Sequence, residues 1–450
     1  MNYFEEGNFH YLNGDYKQAR DCYLNALVSN PEDPDINCNL ALTYYNLREF
    51  NEALKYCTIP ANKNFSDSFT TRGAILRTLG NYEDAMADFL KSIKANPNNA
   101  AGYSNYGNSL REFGLPMLSI PYFIKAQELD PTNPQFKLNE SIAYLLAGDW
   151  LNGWEKYEYR WFYESDKNLK PNLVGEEYNG TQDINGSLVL VYTEQGFGDC
   201  IQFCRYLPLL QQLGADVIFA TRTELVDFMT HNFPTVRIID NDKNTVPFTY
   251  IYHCALLELP KVFNTTVDTV PSYPYYLTSN PSITNHWKQK LIPKTKPRIG
   301  IAWNSNQQAW TSRFRQINLE ELLSGIHNTD FDWVSLSVTP TDDEIDILAK
   351  YKVRDFHNEL KTFADTAGLV DNLDLVITVD TAISHVGGSL GVKTWVMLSD
   401  YAVDWRWMLN RTDTPFYPNV TLYRQDNSNT WKNVLQSINN DLIKFGLDYK

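Results

Sequence analysis

Basic charge is scarce in this chain of 450 residues. Lys and Arg number 39 against 54 Asp and Glu, a net charge of −15. That deficit argues against general affinity for nucleic acid or anionic membrane, since both need a basic footprint; a local basic pocket remains compatible with it. Cysteine is also sparse. Cys22, Cys38, Cys57, Cys200, Cys204 and Cys254 form no CxxC pair. Cys200 and Cys204 lie four apart on one helical face among apolar neighbours, and no His/Cys set completes a metal site, so the thiols are expected in the core and no metal is expected. No apolar run reaches membrane-spanning length. The opening "MNYFEEGNFHYLNGDYKQAR" has neither the basic nor the apolar region of a secretory signal. These absences predict a reduced, cytoplasmic protein without a membrane span or a nucleic-acid partner. Hydrophobic residues make up 43% of the chain, enough for the buried cores of two or three domains.

Internal repetition is what the sequence has instead. "LNGDYKQARDCYLNALVSNPED", "TLGNYEDAMADFLKSIKANPNN" and "EFGLPMLSIPYFIKAQELDPTN" align with one another. Gly14, Gly80, Gly114 and Gly148 mark the turns between paired helices, and Arg48 holds the equivalent place in a degenerate second unit, giving spacings of 34, 32, 34 and 34 residues. Ala19, Ala53, Ala85 and Ser119 follow each turn by five. Tyr23, Tyr56, Phe89 and Phe123 lie near a shared aromatic position, and Pro31, Pro97 and Pro131 close the units. Small residues at helix crossings with this period resemble the tetratricopeptide repeat, which implies a right-handed stack of helix pairs with a concave face. The array ends in "LLAGDWLNGWEKYEYRWF", where Trp150, Trp154, Tyr157 and Trp161 recur at helical spacing. This is expected to be a capping helix that packs the array on the next domain.

Beyond residue 165 the period changes. "SLVLVYTE", "ADVIFATR", "VRIID" and "TYIYHCALL" are short β-rich runs separated by helical lengths, the pattern of a parallel sheet with crossover helices. "SNPSITNHWKQKLIPKTKP" reads as a linker with one short helix. Alternation then restarts with "RIGIAW", "FDWVSLS", "KVRDF", "LDLVITV", "KTWVML" and "VTLYR", and "WKNVLQSINNDLIKFG" ends the chain as an amphipathic helix. The expected class is α plus α/β: a helical solenoid followed by two Rossmann-like, doubly wound lobes with a cleft between them.

Four stretches carry candidate chemistry. In "VYTEQGFGDCIQF", Gly196 and Gly198 form a turn between strand and helix, where backbone N–H groups favour anions. A dinucleotide site needs a third glycine three residues on; Ile201 stands there, and Thr221 and Arg222 occupy the next strand tip where a ribose-binding acid would sit. Both points argue against NAD. Asp199 is either an N-terminal helix cap or a carboxylate aimed at the cleft that takes a proton from an acceptor hydroxyl. In "LDLVITVDTAISHVGGSLGVKTWVML", Asp380 and Thr381 open a helix bearing Ser384, His385, Gly387 and Gly388, a start on which a diphosphate can dock. In "RIGIAWNSNQQAWTSRFRQINL", Asn304, Ser305 and Asn306 make a polar loop at the sheet edge, followed by Arg313 and Arg315, cations suited to a diphosphate or else to surface salt bridges. In "SDYAVDWRWMLNRTDTPF", Trp405, Arg406, Trp407 and Phe416 wall a pocket or pack a junction. "TDD" at 341–343 reads as a helix start rather than a metal site.

Taken together, "EQGFGDCIQFCRYLPLL", "IGIAWNSN", "FADTAGLVDNLDLVITVDTAISHVGGSLGVKTWVML" and "DWRWML" resemble the bacterial tetratricopeptide-repeat proteins that carry a heptosyltransferase-like glycosyltransferase domain of the GT-B type, with a more distant likeness of architecture to O-GlcNAc transferase. The resemblance implies three domains: repeats with their cap over 1–165, an acceptor-side lobe over 166–285, and a donor lobe over 286–450. It implies Asp199 as general base. Donor contacts would come from Asn304, Ser305, Arg313, Arg315, Asp380, Thr381, Ser384, His385 and Gly387. Glu194, Gln195, Gly196, Gly198, Gln202, Trp405 and Arg406 would line the cleft. The family's Asp-Thr-Gly becomes Asp-Thr-Ala here, with Ala382 in third place. The implied reaction is metal-independent glycosyl transfer from a nucleotide-diphosphate sugar to a protein or glycan hydroxyl, with no cofactor, while the concave repeat face holds a peptide or protein. A reading from a different class is a peptide-binding repeat scaffold whose α/β region is catalytically silent.

Overall fold

The computed structural model of the chain describes residues 2–61, 65–162, 170–243, 249–304, 313–426 and 430–448. The chain divides into two compact units, Met1–Tyr144 and Leu145–Lys450.

The first unit is a solenoid of antiparallel helix pairs: α1 (Tyr3–Leu12) with α2 (Tyr16–Leu27), α3 (Pro34–Asn46) with α4 (Phe50–Ala61), α5 (Ser66–Thr78) with α6 (Tyr82–Ala95), and α7 (Ala100–Glu112) with α8 (Pro116–Leu129). Helix α9 (Pro134–Ala147) follows and crosses the boundary between the two units. Each turn residue named from the sequence has a left-handed backbone, with φ of 79° at Gly14, 89° at Gly80 and 73° at Gly114. Arg48 adopts the same conformation at φ 62°, so the degenerate unit keeps the turn at a steric cost that glycine avoids. Ala19, Ala53, Ala85 and Ser119 are all fully buried, as expected where helices cross.

A second set of glycines sets the distance within each pair. A Cβ on Gly7, Gly73 or Gly107 would stand 2.6, 2.6 or 2.8 Å from the ring of Tyr23, Phe89 or Phe123. In the degenerate pair the corresponding places hold Ala41 and Cys57, both fully buried. The buried residue in phase there is therefore Cys57, and Tyr56 beside it is only partly buried. A larger residue on α3 is matched by a smaller one on α4, which conserves volume.

The second unit holds two five-stranded sheets in which every pairing is parallel. The first contains β1 (Glu176–Glu177), β2 (Leu188–Tyr192), β3 (Asp216–Thr221), β4 (Arg237–Asp240) and β5 (Tyr252–Ala255), in the order β1-β5-β2-β3-β4. The second contains β6 (Arg298–Ala302), β7 (Asp332–Ser335), β8 (Leu375–Val379), β9 (Thr394–Leu398) and β10 (Val420–Arg424), in the order β10-β9-β8-β6-β7. Strands β6, β8 and β9 are buried at every residue, as parallel strands covered on both faces must be. The run "KVRDF" contributes only a single bridge, Arg354 to Val334, and is not a strand. The linker carries the helix Pro281–Lys290. Thr341 caps the helix Asp342–Lys350 through a reciprocal capping box with Glu344, so the acidic triplet is a helix start. Among the described residues, no helix is long and apolar enough to cross a membrane.

Strand order fixes where loops converge. In the first sheet the chain runs outward through β2, β3 and β4 and then returns to the other side of β2. In the second it runs from β6 to β7 and then returns to the other side of β6. Each reversal opens a crevice at the carboxyl ends of the two strands that flank it, the usual ligand position of open α/β sheets.

Candidate functional site

The loop after β2 and the loops after β6 and β8 stand at these two reversals. After β2, Gly196 caps the short helix Phe197–Phe203, and the Asp199 Oδ2 accepts the Gly196 N–H at 2.8 Å. The capping role foreseen for Asp199 is thus present. Its other oxygen faces the opposite sheet: Arg406 donates from Nη2 to Asp199 Oδ1. Gly198 lets the lobes meet, because a Cβ there would lie 2.7 Å from the His385 ring.

Arg406 is the hub. Its Nε donates to Gln202 Oε1 at 2.9 Å and its Nη1 to Asp404 Oδ1 at 3.0 Å. Asp404 in turn accepts from Arg315 Nη2 at 3.2 Å, and Arg315 Nη1 lies 3.1 Å from Asp380 Oδ2. Five charges therefore alternate from one lobe to the other: Asp199, Arg406, Asp404, Arg315, Asp380. Burial works to raise the Asp404 carboxyl, but Arg406 and Arg315 outweigh it and hold it below the ordinary range. At Asp380 burial wins over Arg315, and the carboxyl is raised. Burial opposes the charge on Arg406, yet Asp199 and Asp404 keep it firmly protonated. Buried charges are tolerated only when paired and hydrogen-bonded, and this row meets that condition by alternation.

The helix Ala382–Leu390 follows β8. Thr381 caps it, accepting the Ile383 N–H at 3.2 Å, and Ser384 Oγ donates back to the Thr381 carbonyl at 2.6 Å. His385 shares a 2.8 Å hydrogen bond with the Tyr417 hydroxyl through Nδ1 and stacks on Trp407 at 5.4 Å. Burial, reinforced by Arg406, drives its pKa down to about 3. It is a neutral imidazole, able to offer a hydrogen bond but not a positive charge. Gly387 stands away from this polar row, where the helix presses on Thr394 of β9.

The remaining named positions divide clearly. Glu194 is buried, with Oε1 accepting from Arg160 at 2.9 Å and from the Leu257 N–H at 3.2 Å, while Oε2 has no partner. Burial lifts its pKa to about 7 despite Arg160. Gln195 takes a left-handed backbone at φ 63°, its carbonyl accepting from Arg222 at 2.7 Å. Gln202 is fully buried and its Nε2 is unpartnered. Trp405 belongs to an aromatic cluster, 5.2 Å from Trp154 and 6.2 Å from Trp150, which itself stacks on Phe416 at 5.2 Å. Those contacts are core packing. Asn304 is half-buried just past β6, and Arg313 is exposed with its guanidinium 4.7 Å from the Phe314 ring. Ser305 and Asn306 lie outside the described residues.

Sequence reasoning did not single out Asp404, Tyr417 or Arg205. Arg205 is buried and donates to the carbonyls of Pro271 at 3.0 Å and Phe416 at 2.8 Å, holding the chain ahead of the linker and tying the first lobe to the second. The Asp404–Arg406 pair at i and i+2 was the available signal. In the first unit, α7 and α8 form a concavity of about 460 Å³ lined by Tyr103, Tyr106, Leu110, Met117, Pro121 and Tyr122.

Comparison with known proteins bears on the first unit most directly. The family described as TPR repeat matches residues 7–47, and the family described as tetratricopeptide repeat matches residues 66–99. The N-terminal array is built of these repeats. Along most of its length the chain is similar to protein FlbA of Caulobacter vibrioides, 23% identical over 437 residues that span 90% of this chain and 72% of FlbA. It is 30% identical to human RNA polymerase II-associated protein 3 over 97 residues, 21% of this chain and 15% of that one. A thermophilic TPR protein of Thermus thermophilus superposes on 36% of this chain and 96% of its own, with 21% identity and a TM-score of 0.32.

Proposed function

We propose that the second unit transfers a glycosyl group from a nucleotide-diphosphate sugar to an acceptor hydroxyl, and that the repeat array recruits the acceptor or a partner protein as a peptide segment. One observation carries the reading. The carboxyl-end loops at the reversal points of two parallel sheets face each other, and a single row of charged groups from Asp199 to Asp380 joins them. Open α/β sheets bind ligands at such points.

The chemistry follows from the groups present. Asp199 is the base. Each carboxylate oxygen has two lone pairs, so one remains on each oxygen after Gly196 and Arg406 are served. It takes the acceptor hydroxyl proton as that oxygen bonds to the sugar's anomeric carbon. The bond from that carbon to the diphosphate breaks, and its electron pair leaves with the diphosphate oxygen. Arg315, with Arg313 two residues before it, meets the added charge, an electrostatic term that operates without proton movement. Thr381 and neutral His385 offer hydrogen bonds at the helix start.

A repeat scaffold with a silent α/β unit is the second reading. It is favoured by the closed state of the row, in which both Asp199 oxygens already have partners. Thermal shift and hydrolysis measured against UDP-, GDP-, ADP- and CDP-sugars decide between them. The transferase reading expects a rise in melting temperature with sugars of one base, and sugar release that Asp199→Asn lowers by about 10²-fold or more. No shift with any of these donors would leave the scaffold reading standing.

A further inference from the structure

The solenoid contains one place that is built differently in the pairs α1/α2, α5/α6 and α7/α8. Taking Gly7, Gly73 and Gly107 as equivalent, the positions of Glu6, His10 and Cys22 correspond to Arg72, Leu76 and Asp88 in α5/α6, and to Tyr106, Leu110 and Tyr122 in α7/α8. In α5/α6 the place is closed by an ion pair, Arg72 Nε to Asp88 Oδ2 at 2.6 Å. In α7/α8 it is the aromatic concavity, with Tyr106 and Tyr122 4.7 Å apart. In α1/α2 three metal-ligating side chains converge instead.

The geometry points to a binding site for a divalent transition-metal cation of the zinc class at Glu6, His10 and Cys22. One ligand atom from each lies within 4.8 Å of the other two. Tetrahedral coordination with bonds of about 2.0–2.3 Å places ligand atoms about 3.5 Å apart, and all three side chains are half-exposed, so rotamer adjustment closes the gap. Glu6 and His10 share one face of α1 at i and i+4. Cys22 is held opposite them because its neighbour Tyr23 packs on Gly7, and the Tyr23 hydroxyl donates to Asn8 Oδ1 at 2.7 Å.

Two further observations favour a cation here. His10 Nδ1 is enclosed and has no hydrogen-bond partner, and the Asp15 carboxylate stands 3.8 Å from it. The Asp15 carboxylate adds negative potential at this place, which favours a cation. A thiol, an imidazole and a carboxylate together select zinc or cobalt over calcium or magnesium, which prefer oxygen alone. Three protein ligands leave the fourth position to water or to an incoming group.

Titration of the reduced full-length chain with Co²⁺, followed by Zn²⁺, tests the assignment. One equivalent of Co²⁺ should give a near-ultraviolet thiolate-to-cobalt band and the visible bands of a tetrahedral site, both lost on adding Zn²⁺. Cys22→Ser should remove the thiolate band, and His10→Gln should weaken binding by about tenfold or more, with helix content unchanged by circular dichroism. No thiolate band in the parent chain, or a band that survives Cys22→Ser, would overturn the site. The other five cysteines are buried and serve as the internal control.

Discussion

Arg406 and Asp199 are 207 residues apart in sequence and share one hydrogen-bonded ion pair between the two α/β lobes. The contact joins the loop after β2 to the loop after β9, so neither lobe holds a complete charge balance alone. Arg406 also serves Asp404 and Gln202, which makes it the residue whose loss leaves the most groups unsatisfied.

Arg406→Met is therefore expected to destabilise the second unit by about 3–5 kcal/mol, the usual cost of leaving a buried charge unpaired. Adding Asp404→Asn to that variant should restore part of the loss, because one of the stranded carboxylates is then neutral. Urea unfolding of the parent, the two single variants and the double variant measures the coupling. Equal and additive losses would show that the row does not act as a unit.

Two buried groups set opposing pH dependences. His385 protonates near pH 3 when folded and near 6.5 when unfolded, so acidification from 6.5 towards 3 favours unfolding. Glu194 protonates near 7 when folded and near 4.5 when unfolded, so acidification from 7 to 4.5 favours the folded state. Between about pH 4.5 and 6.5 the two offset each other. His385→Asn should then leave a protein that gains stability on acidification through this window, and Glu194→Gln one that loses it more steeply than the parent. Melting temperatures recorded at half-unit pH steps read both slopes.

Arg48→Gly should stabilise the repeat array by about 1 kcal/mol. The gain comes from relieving the left-handed backbone of a residue with a Cβ. A fall in the melting temperature of the first transition would contradict it.

Gly73→Ala is expected to cost about 1–3 kcal/mol, since the added methyl would stand 2.6 Å from the Phe89 ring. Pairing it with Phe89→Leu should recover part of the loss, following the volume exchange that Ala41 and Cys57 already show in the degenerate pair. Thermal unfolding of the single and double variants checks the compensation.

The repeat array was legible because its rules are local. Turn glycines, small crossing residues and the 34-residue phase all sit within a few residues of the structure they determine, and even Arg48 was placed correctly by phase alone. Strands were legible where both faces are buried, as in "LVITV" and "TWVML", and failed at "KVRDF", where a single bridge ends at the sheet edge. Four of the five members of the charge row were visible. Asp199, Arg315, Asp380 and Arg406 stood out as charged residues near strand ends. Asp404 did not, because its meaning comes from partners 89 residues away and two residues away at once. Cys22 escaped for a similar reason. Its half-exposed position next to Glu6 and His10 depends on the tight Gly7–Tyr23 packing, which composition does not reveal.

The alternation of signs along the row from Asp199 to Asp380 has a consequence for encounter kinetics. The three carboxylates and two guanidiniums of the row sum to a single net negative charge, and salt screens that remainder beyond the Debye length of about 8 Å at physiological ionic strength. A charged molecule diffusing towards this crevice feels little guidance until it nearly touches the residues themselves. The row itself should therefore contribute little to the association rate or to its salt dependence.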